Sequence, residues 1–312
     1  VDNYLKSYGD IEMHRRMVSD RIRTNAFAAA IREVVQPGDV VLDVGTGTGI
    51  LAMFAAKAGA QKVYAVDATD IAEVAADLVE ANGLSDQIQV VHGRVGEVQL
   101  DQKVDLIISE WLGSAAFVEG MLNAVLNARD QNLAPTGRML PSKVRVLIAP
   151  MDDPILYNTE GPGFWRERID DLDFSSLQEA ELLQGRTVQI RVEPAAVLAP
   201  GQAILELDLL SASVEDAWFE GQLAFVPSRD GVLNGFSVWF EAELSPSVML
   251  DTGPFSPETH WVQTYLSFTP RLVRAGEQVK VSVNFFYAPD PTTGHVDLHL
   301  GIGEHELSYV ID

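Results

Sequence analysis

The stretch Val40 to Leu51, VVLDVGTGTGIL, constrains the fold more than any other part of the chain. An apolar run meets an acid. Glycines then alternate at Gly45, Gly47 and Gly49, and an apolar stretch continues as AMFAAKAGA. Glycine permits a sharp strand-to-helix turn and lets a ligand approach backbone that any Cβ would screen. The helix after the turn offers unpaired N–H groups and the positive end of its dipole to that ligand. The same turn can also be a bare connection, so its meaning depends on the elements downstream.

Downstream lies a βα series. KVYAV at Lys62–Val66 reads as a second strand ending at Asp67. Ile71 to Ala81 reads as a helix stopped by Asn82-Gly83, Ile88–Val91 as a third strand, and Val104–Ser109 as a fourth that leads into Glu110. Phe117 to Leu126 reads as a further helix. Upstream, residues 26–36 read as a helix closed by Pro37-Gly38-Asp39, and residues 1–25 as an amphipathic arm with Met13, Met17 and Ile22 on its inner stripe. Strands alternating with helices imply a Rossmann-like parallel sheet covered on both faces, with ligands outside the carboxyl ends of the strands at the switch point. Asp67 lies 24 residues after Asp43. An acid there accepts hydrogen bonds from both ribose hydroxyls of an adenosine. The spacing G-T-G-T-G, rather than G-x-G-x-x-G, favours S-adenosylmethionine (SAM), which has no pyrophosphate to cradle.

From about Pro141 the texture changes. Short alternating runs appear at residues 143–150, 187–194, 203–210, 236–244, 278–289 and 295–303, which predicts an antiparallel β-barrel or sandwich. The boundary falls near Ala134–Pro141, LAPTGRMLP, giving a SAM-binding domain over residues 26–140 and a β domain over 141–312. Two domains also suit 312 residues. An insertion, Tyr157 to Leu183, is too long for a hairpin loop and reads as functional or as an interface.

Charge narrows the partners. The formal net charge is −23, which argues against nucleic acid and makes a cationic ligand the natural one. No apolar run has the roughly 20 residues of a membrane span. Without cysteine there is no disulfide or thiolate chemistry, which fits a cytoplasmic, reducing compartment, and six scattered histidines offer no zinc site.

The loop after the fourth strand, SEWLGSAAFVEGML, sets Glu110 and Glu119 nine residues apart at the mouth of the predicted site. Two carboxylates facing one pocket are costly unless they share a cation or a proton. A planar guanidinium, whose fork matches carboxylates, is the natural cation. The plainer reading makes Glu110 a turn cap and Glu119 a residue on a solvated helix face.

These motifs together resemble the protein arginine N-methyltransferases over nearly the whole chain. VLDVGTGTGIL is similar to that family's SAM motif, SEWLGSAAFVEGML to its double-glutamate loop, THWVQTYLSF at 259–268 to its threonine-histidine-tryptophan loop, and YLKSYGDIEMHRRMVSDRIRT to its N-terminal lid helix. The resemblance implies a role for each matched residue. His14, Met17 and Arg23 close over SAM, with Arg23 on its carboxylate. Asp43, Gly45 and Gly47 form the floor, Asp67 holds the ribose, and Val95 and Gly96 lie by the adenine. Glu110 and Glu119 clamp the guanidinium, with Tyr8, Met121 and Trp261 beside it. His260 pairs with Asp20. Residues 157–183 form the arm of a homodimer.

The proton released during transfer goes to a glutamate or to the His260–Asp20 pair. The chain departs from the family pattern at Tyr4-Leu5, at Ser114-Ala115-Ala116 where an aromatic is usual, and at Gly96 where an acid is usual. Those changes leave the acceptor open among protein or peptide arginine, free arginine and a guanidino metabolite. An amine methyltransferase and a non-catalytic SAM-binding scaffold are the alternatives.

Overall fold

The computed structural model describes residues 11–288 and 295–312. Helices α1 (Ile11–Ser19) and α2 (Arg21–Val34) precede a five-stranded sheet. Its elements are β1 (Val40–Val44), α3 (Ile50–Ala58), β2 (Lys62–Asp67), α4 (Ile71–Ala81), β3 (Ile88–His92), β4 (Val104–Ile108), α5 (Leu122–Asn132) and β5 (Leu133–Leu140). The strand order is β3-β2-β1-β4-β5 and every pair is parallel. The chain winds from β1 out to β3 and then crosses to β4, so the switch point falls between β1 and β4. A crevice opens at the carboxyl ends there. Val41, Leu42, Ile107 and Ile108 are wholly buried, as strands covered on both faces require.

Three expectations change here. The arm expected over residues 1–25 and the helix over 26–36 divide elsewhere: α1 stops at Ser19, and α2 runs from Arg21 to Val34. Asp20 caps α2, its Oδ1 accepting from the Arg23 N–H at 3.0 Å. Aspartate is a favoured N-cap, so the break lies where the side chain can satisfy an unpaired helix donor. Second, the boundary stretch Ala134–Pro141, marked by two prolines and a glycine, holds the edge strand β5. Pro135 is tolerated because β5 pairs only with β4. Third, the helix expected from Phe117 begins at Leu122, and residues 110–121 form a loop.

The second half is antiparallel. It comprises β6 (Lys143–Met151), α6 (Pro154–Thr159), α7 (Leu177–Gln184), β7 (Thr187–Ile190), β8 (Gln202–Asp208), β9 (Trp218–Phe225), β10 (Gly231–Ser245), β11 (Val248–Asp251), β12 (Gln263–Val273), β13 (Val279–Ala288), β14 (His295–Ile302) and β15 (His305–Ile311). One sheet runs β7-β12-β10-β6-β8 with β11 on β10, and the other β15-β14-β13-β9. Alternation reveals six of these strands. It hides β12, because Gln263 to Phe268 are all buried and no polar face marks the pleat.

Polar ties join the halves. Arg129 Nη1 donates to the carbonyls of Leu209 and Ala212 at 2.8 and 2.7 Å. Ser245 Oγ donates to Glu33 at 2.7 Å. The insertion packs on itself through Phe164, Trp165 and Phe174, and Trp165 Nε1 donates to Glu181. It leaves Phe164, Ile169, Leu172, Leu177 and Leu183 exposed. Among the described residues no helix is long and apolar enough to cross a membrane.

Candidate active site

The glycine turn follows β1 and is bound to β2, since Gly45 N–H and Thr46 N–H both donate to the Val66 carbonyl at 2.9 and 3.0 Å. Gly45, Gly47 and Gly49 have φ of 71°, 54° and 78°, which side chains other than glycine rarely adopt. Space matters as well. A Cβ on Gly47 would lie 2.8 Å from His14 Cε1, and one on Gly45 would lie 2.9 Å from Met121 Cε. His14, which alone reads as a surface histidine, is therefore buried over the turn. Met121 packs against Gly45.

Asp43 is fully buried below the turn. Its Oδ2 accepts from Thr46 Oγ1 at 2.6 Å and from the Ala52 N–H at 3.0 Å, while Oδ1 has no hydrogen-bond partner. Burial outweighs these bonds and pushes its carboxyl up to about 7. Asp67, at the end of β2, accepts from Gly47 N–H at 2.9 Å and from Thr69 N–H and Oγ1 at 2.9 and 2.8 Å. Three of its roughly four lone-pair sites are thus filled, so bidentate ribose binding requires one of these donors to turn away. Gly93 N–H donates to the Asp67 carbonyl at 2.7 Å and brings the turn after β3 alongside. Val95 there is buried, and Gly96 has open space where a side chain would be. An unpartnered buried carboxylate oxygen, a glycine cradle and free space beside Asp67 fit SAM.

The acceptor side joins three separate segments. Arg23 reaches from α2 to Glu110, with Nε donating to Oε2 at 2.8 Å and Nη2 to the same oxygen. Glu110 Oε1 takes the Leu112 N–H at 3.0 Å. Both side chains are nearly buried. The family resemblance assigns Arg23 to the SAM carboxylate, and sequence proximity would pair it with its helix neighbour Asp20. Here its guanidinium holds Glu110, and its main-chain N–H, not its side chain, meets Asp20. A buried carboxylate needs a cation, and the one at hand lies on the lid.

Asp20 serves two elements. Besides capping α2, its Oδ2 accepts from the His260 N–H at 2.9 Å and meets His260 Nδ1 at 2.8 Å. Burial would raise its carboxyl, but the His260 ring and the two main-chain donors outweigh it and hold the group at about 2. Arg16 Nη2 donates to the His260 carbonyl at 3.0 Å. Trp261 packs edge-on against Phe240 and donates Nε1 to the Leu112 carbonyl at 2.6 Å, tying the β domain to the glutamate loop.

Glu119 sits in that loop, not on a solvated helix. The loop turns back through a mutual Gly113–Ala116 pairing, with Ala115 and Ala116 at φ of 48° and 70°. A Cβ on Gly113 would meet Val118 Cγ2 at 2.4 Å and Glu119 Cγ at 2.9 Å. Val262, just past Trp261, has φ of 48°, unusual for a β-branched residue. Such backbone costs about 1–3 kcal/mol per residue and survives where packing imposes it. The glutamate loop and the loop before β12 therefore both carry strain.

The crevice brings together His14, Met17, Arg23, Asp43, Gly45, Gly47, Asp67, Glu110, Met121, Asp20, His260 and Trp261, and Glu119 lies on the loop that carries Glu110. Tyr8 lies outside the described residues. Sequence patterns do not mark Arg16, the Leu112 carbonyl or Gly113 as members. A glycine between two functional glutamates is a signal for Gly113. Nothing local marks a carbonyl as an acceptor. Among the described residues no group of three or more acids and histidines is placed to hold a metal ion.

Comparison with known proteins places this geometry. A family model described as the arginine methyltransferase oligomerization subdomain matches residues 143–301, and one described as ribosomal protein L11 methyltransferase matches residues 23–139. Protein arginine N-methyltransferase 1 of Schizosaccharomyces pombe is 37% identical over 289 residues, covering 90% of this chain and 84% of the relative. Protein arginine N-methyltransferase 6 of Danio rerio is 37% identical over 275 residues, covering 84% and 78%. Among solved structures, the Trypanosoma brucei PRMT1 enzyme–prozyme heterotetrameric complex with AdoHcy superposes with a TM-score of 0.87 at 32% identity, covering 98% of this chain and 100% of that one. Arabidopsis thaliana protein arginine methyltransferase 10, in an open conformation, gives 0.83 at 28% identity, covering 99% and 100%.

Proposed function

Since the chain belongs to the protein arginine N-methyltransferase family, we propose that its crevice methylates a guanidino nitrogen of protein or peptide arginine with SAM as donor. The observation that carries this reading is the convergence of the lid, the glutamate loop and the loop before β12 on one crevice through the Arg23–Glu110, Asp20–His260 and Trp261–Leu112 ties.

SAM supplies a methyl group activated by a sulfonium. The chain's residues do the positioning, which dominates an in-line displacement. A guanidinium has a pKa above about 12 and is a weak nucleophile. Glu119 and the outer lone pairs of Glu110 accept its N–H groups, orient it and offset the repulsion between two cations. Electron density then gathers on the nitrogen that faces the methyl. The displaced proton passes to a Glu119 carboxylate oxygen or to Nε2 of His260, whose Nδ1 is engaged by Asp20. That pair holds α1 and α2 against the β domain and keeps water out. Met121 packs under the reacting atoms. The cysteine-free composition suits cytoplasmic work, and the exposed apolar residues of the insertion suit a homodimer whose arm, residues 157–183, covers the lid of a second copy.

The test is incubation with methyl-labelled SAM against arginine peptides, free arginine and polyamines, read by mass spectrometry. Label on guanidino nitrogen is the expected result. Turnover of amines with none on guanidines would overturn it. Glu119→Gln should keep SAM binding by calorimetry while losing at least about 10²-fold in kcat, within the usual range for removing one acid–base group.

A further inference from the structure

We propose that Asp43 is the residue by which this crevice tells the methyl donor from its demethylated product: the buried carboxylate, when ionised, favours the positive sulfur of SAM over the neutral sulfur of S-adenosylhomocysteine. This inference deepens the SAM-dependent reading above and rests on it.

Asp43 has no cation of its own. It is wholly buried near the carboxyl end of β1, and register sets it between Ala65 on β2 and Ile108 on β4, both apolar. Its bonds come from two neutral donors, Thr46 Oγ1 and the Ala52 N–H, both on Oδ2, and Oδ1 accepts none. Charged groups on the surrounding elements do not make up the deficit. Asp67 at the end of β2 is a second acid and opposes ionisation. Arg23 on α2 favours it, but its guanidinium is spent on Glu110 in the loop after β4. The one charged side chain of α3, Lys57, lies in its last turn, away from the Ala52 donor. His14 on α1 lies over the turn, beside Gly47.

A carboxylate buried without a counter-ion is costly, which is why burial pushes this carboxyl up to about 7. Donor and product share the adenosine, the ammonium and the carboxylate, and they differ by one unit of charge at sulfur. Gly45 and Gly47 put backbone without side chains over the acid, and charges separated by buried backbone are poorly screened. Asp43 therefore ionises when a cation is laid over the turn, giving its proton to solvent. It takes a proton back once methyl departure leaves the sulfur neutral. In the product complex the acid is again without a partner, so product is held less tightly than donor wherever Asp43 is ionised.

The experiment is calorimetric titration of the full chain with SAM and, separately, with S-adenosylhomocysteine, in buffers of different ionisation enthalpy, which reads affinity and proton release together. SAM should release about half a proton or more near pH 6.5 and little near pH 8.5, and the product clearly less. The Kd of SAM relative to that of the product should rise about five- to tenfold from pH 8 to pH 6. Asp43→Asn should keep the wild-type affinity for product, lose about 10- to 30-fold of the preference for SAM at pH 8, and make that preference independent of pH. Thr46→Val keeps the branched shape and the main-chain bond to Val66 but removes the hydroxyl that steadies the charge, so it should move the SAM profile to higher pH.

A preference for SAM that is flat with pH in wild type, or that survives unchanged in Asp43→Asn, would overturn the assignment. So would equal proton release by the two ligands, which would place Asp43 on their shared ammonium, or a release that persists in Asp43→Asn, which would belong to another group such as His14. If neither ligand binds at any pH, the SAM reading fails and this inference with it. Failure to methylate arginine with the binding pattern intact would strike the acceptor reading alone.

Discussion

The Arg23–Glu110 pair gives the deepest test of how this crevice is built. The two side chains are only 7% and 5% exposed, and both bonds from Arg23 fall on one carboxylate oxygen. Unit charges about 4 Å apart attract by about 4 kcal/mol at an effective dielectric near 20. Removing one partner of a buried pair costs about 3–5 kcal/mol, because the other is left uncompensated. Arg23→Gln should therefore destabilise the unliganded protein by that amount, and Glu110→Gln should do much the same. The double variant removes both charges and leaves two neutral amides that can bond to each other. It should cost clearly less than the sum, with a coupling of about 2–3 kcal/mol. Urea unfolding of the four proteins at low and high salt measures this. The coupling should survive salt, since a buried pair is poorly screened. Additive single effects, within about 0.5 kcal/mol, would refute the claim that this contact organises the lid on the glutamate loop.

Three other parts of the molecule give equally direct outcomes. Gly113→Ala should lower kcat at least tenfold with little change in SAM affinity by calorimetry, because its Cβ would strike Glu119 Cγ at 2.9 Å; adding Val118→Ala should recover thermal stability more than activity, since that change removes only the 2.4 Å contact. Asp43, raised by burial from 3.8 to about 7, binds its proton more tightly folded than unfolded. Its contribution is therefore full below about pH 4 and falls away as pH rises through 7, by on the order of 4 kcal/mol, so Asp43→Asn should gain on wild type between pH 5 and pH 8 in urea unfolding of the unliganded protein. A difference that does not vary with pH would exclude a buried titrating Asp43. Deleting residues 160–180 should yield a monomer of weak activity by sedimentation and radiometric assay, and an unchanged dimer would reject the arm.

Local chemistry accounts for the elements that are legible along the chain. Val40–Val44 runs apolar through Asp43 to the alternating glycines, and Gly45, Gly47 and Gly49 each take the positive φ that their residue type allows. Helix α4 begins at Ile71 and ends before Asn82-Gly83 as its punctuation predicts. Strands β13 and β14 alternate because one face meets the core and the other meets water. Elements without a polar face are harder to see. β12 is buried on both sides over its first half, and β5 carries a proline that a single-sided edge position excuses.

The doubly wound half, the donor turn and the nine-residue spacing of Glu110 and Glu119 are written in the order of the residues, because backbone conformation and periodicity are properties of chain neighbours. Which charges meet is a property of the folded chain alone. Arg23 and Glu110 are 87 residues apart, Trp261 and Leu112 are 149, and Asp20 and His260 are 240. Each partner is chosen by burial: a polar group removed from water must find a bond wherever the fold brings one, and no local pattern records where that is.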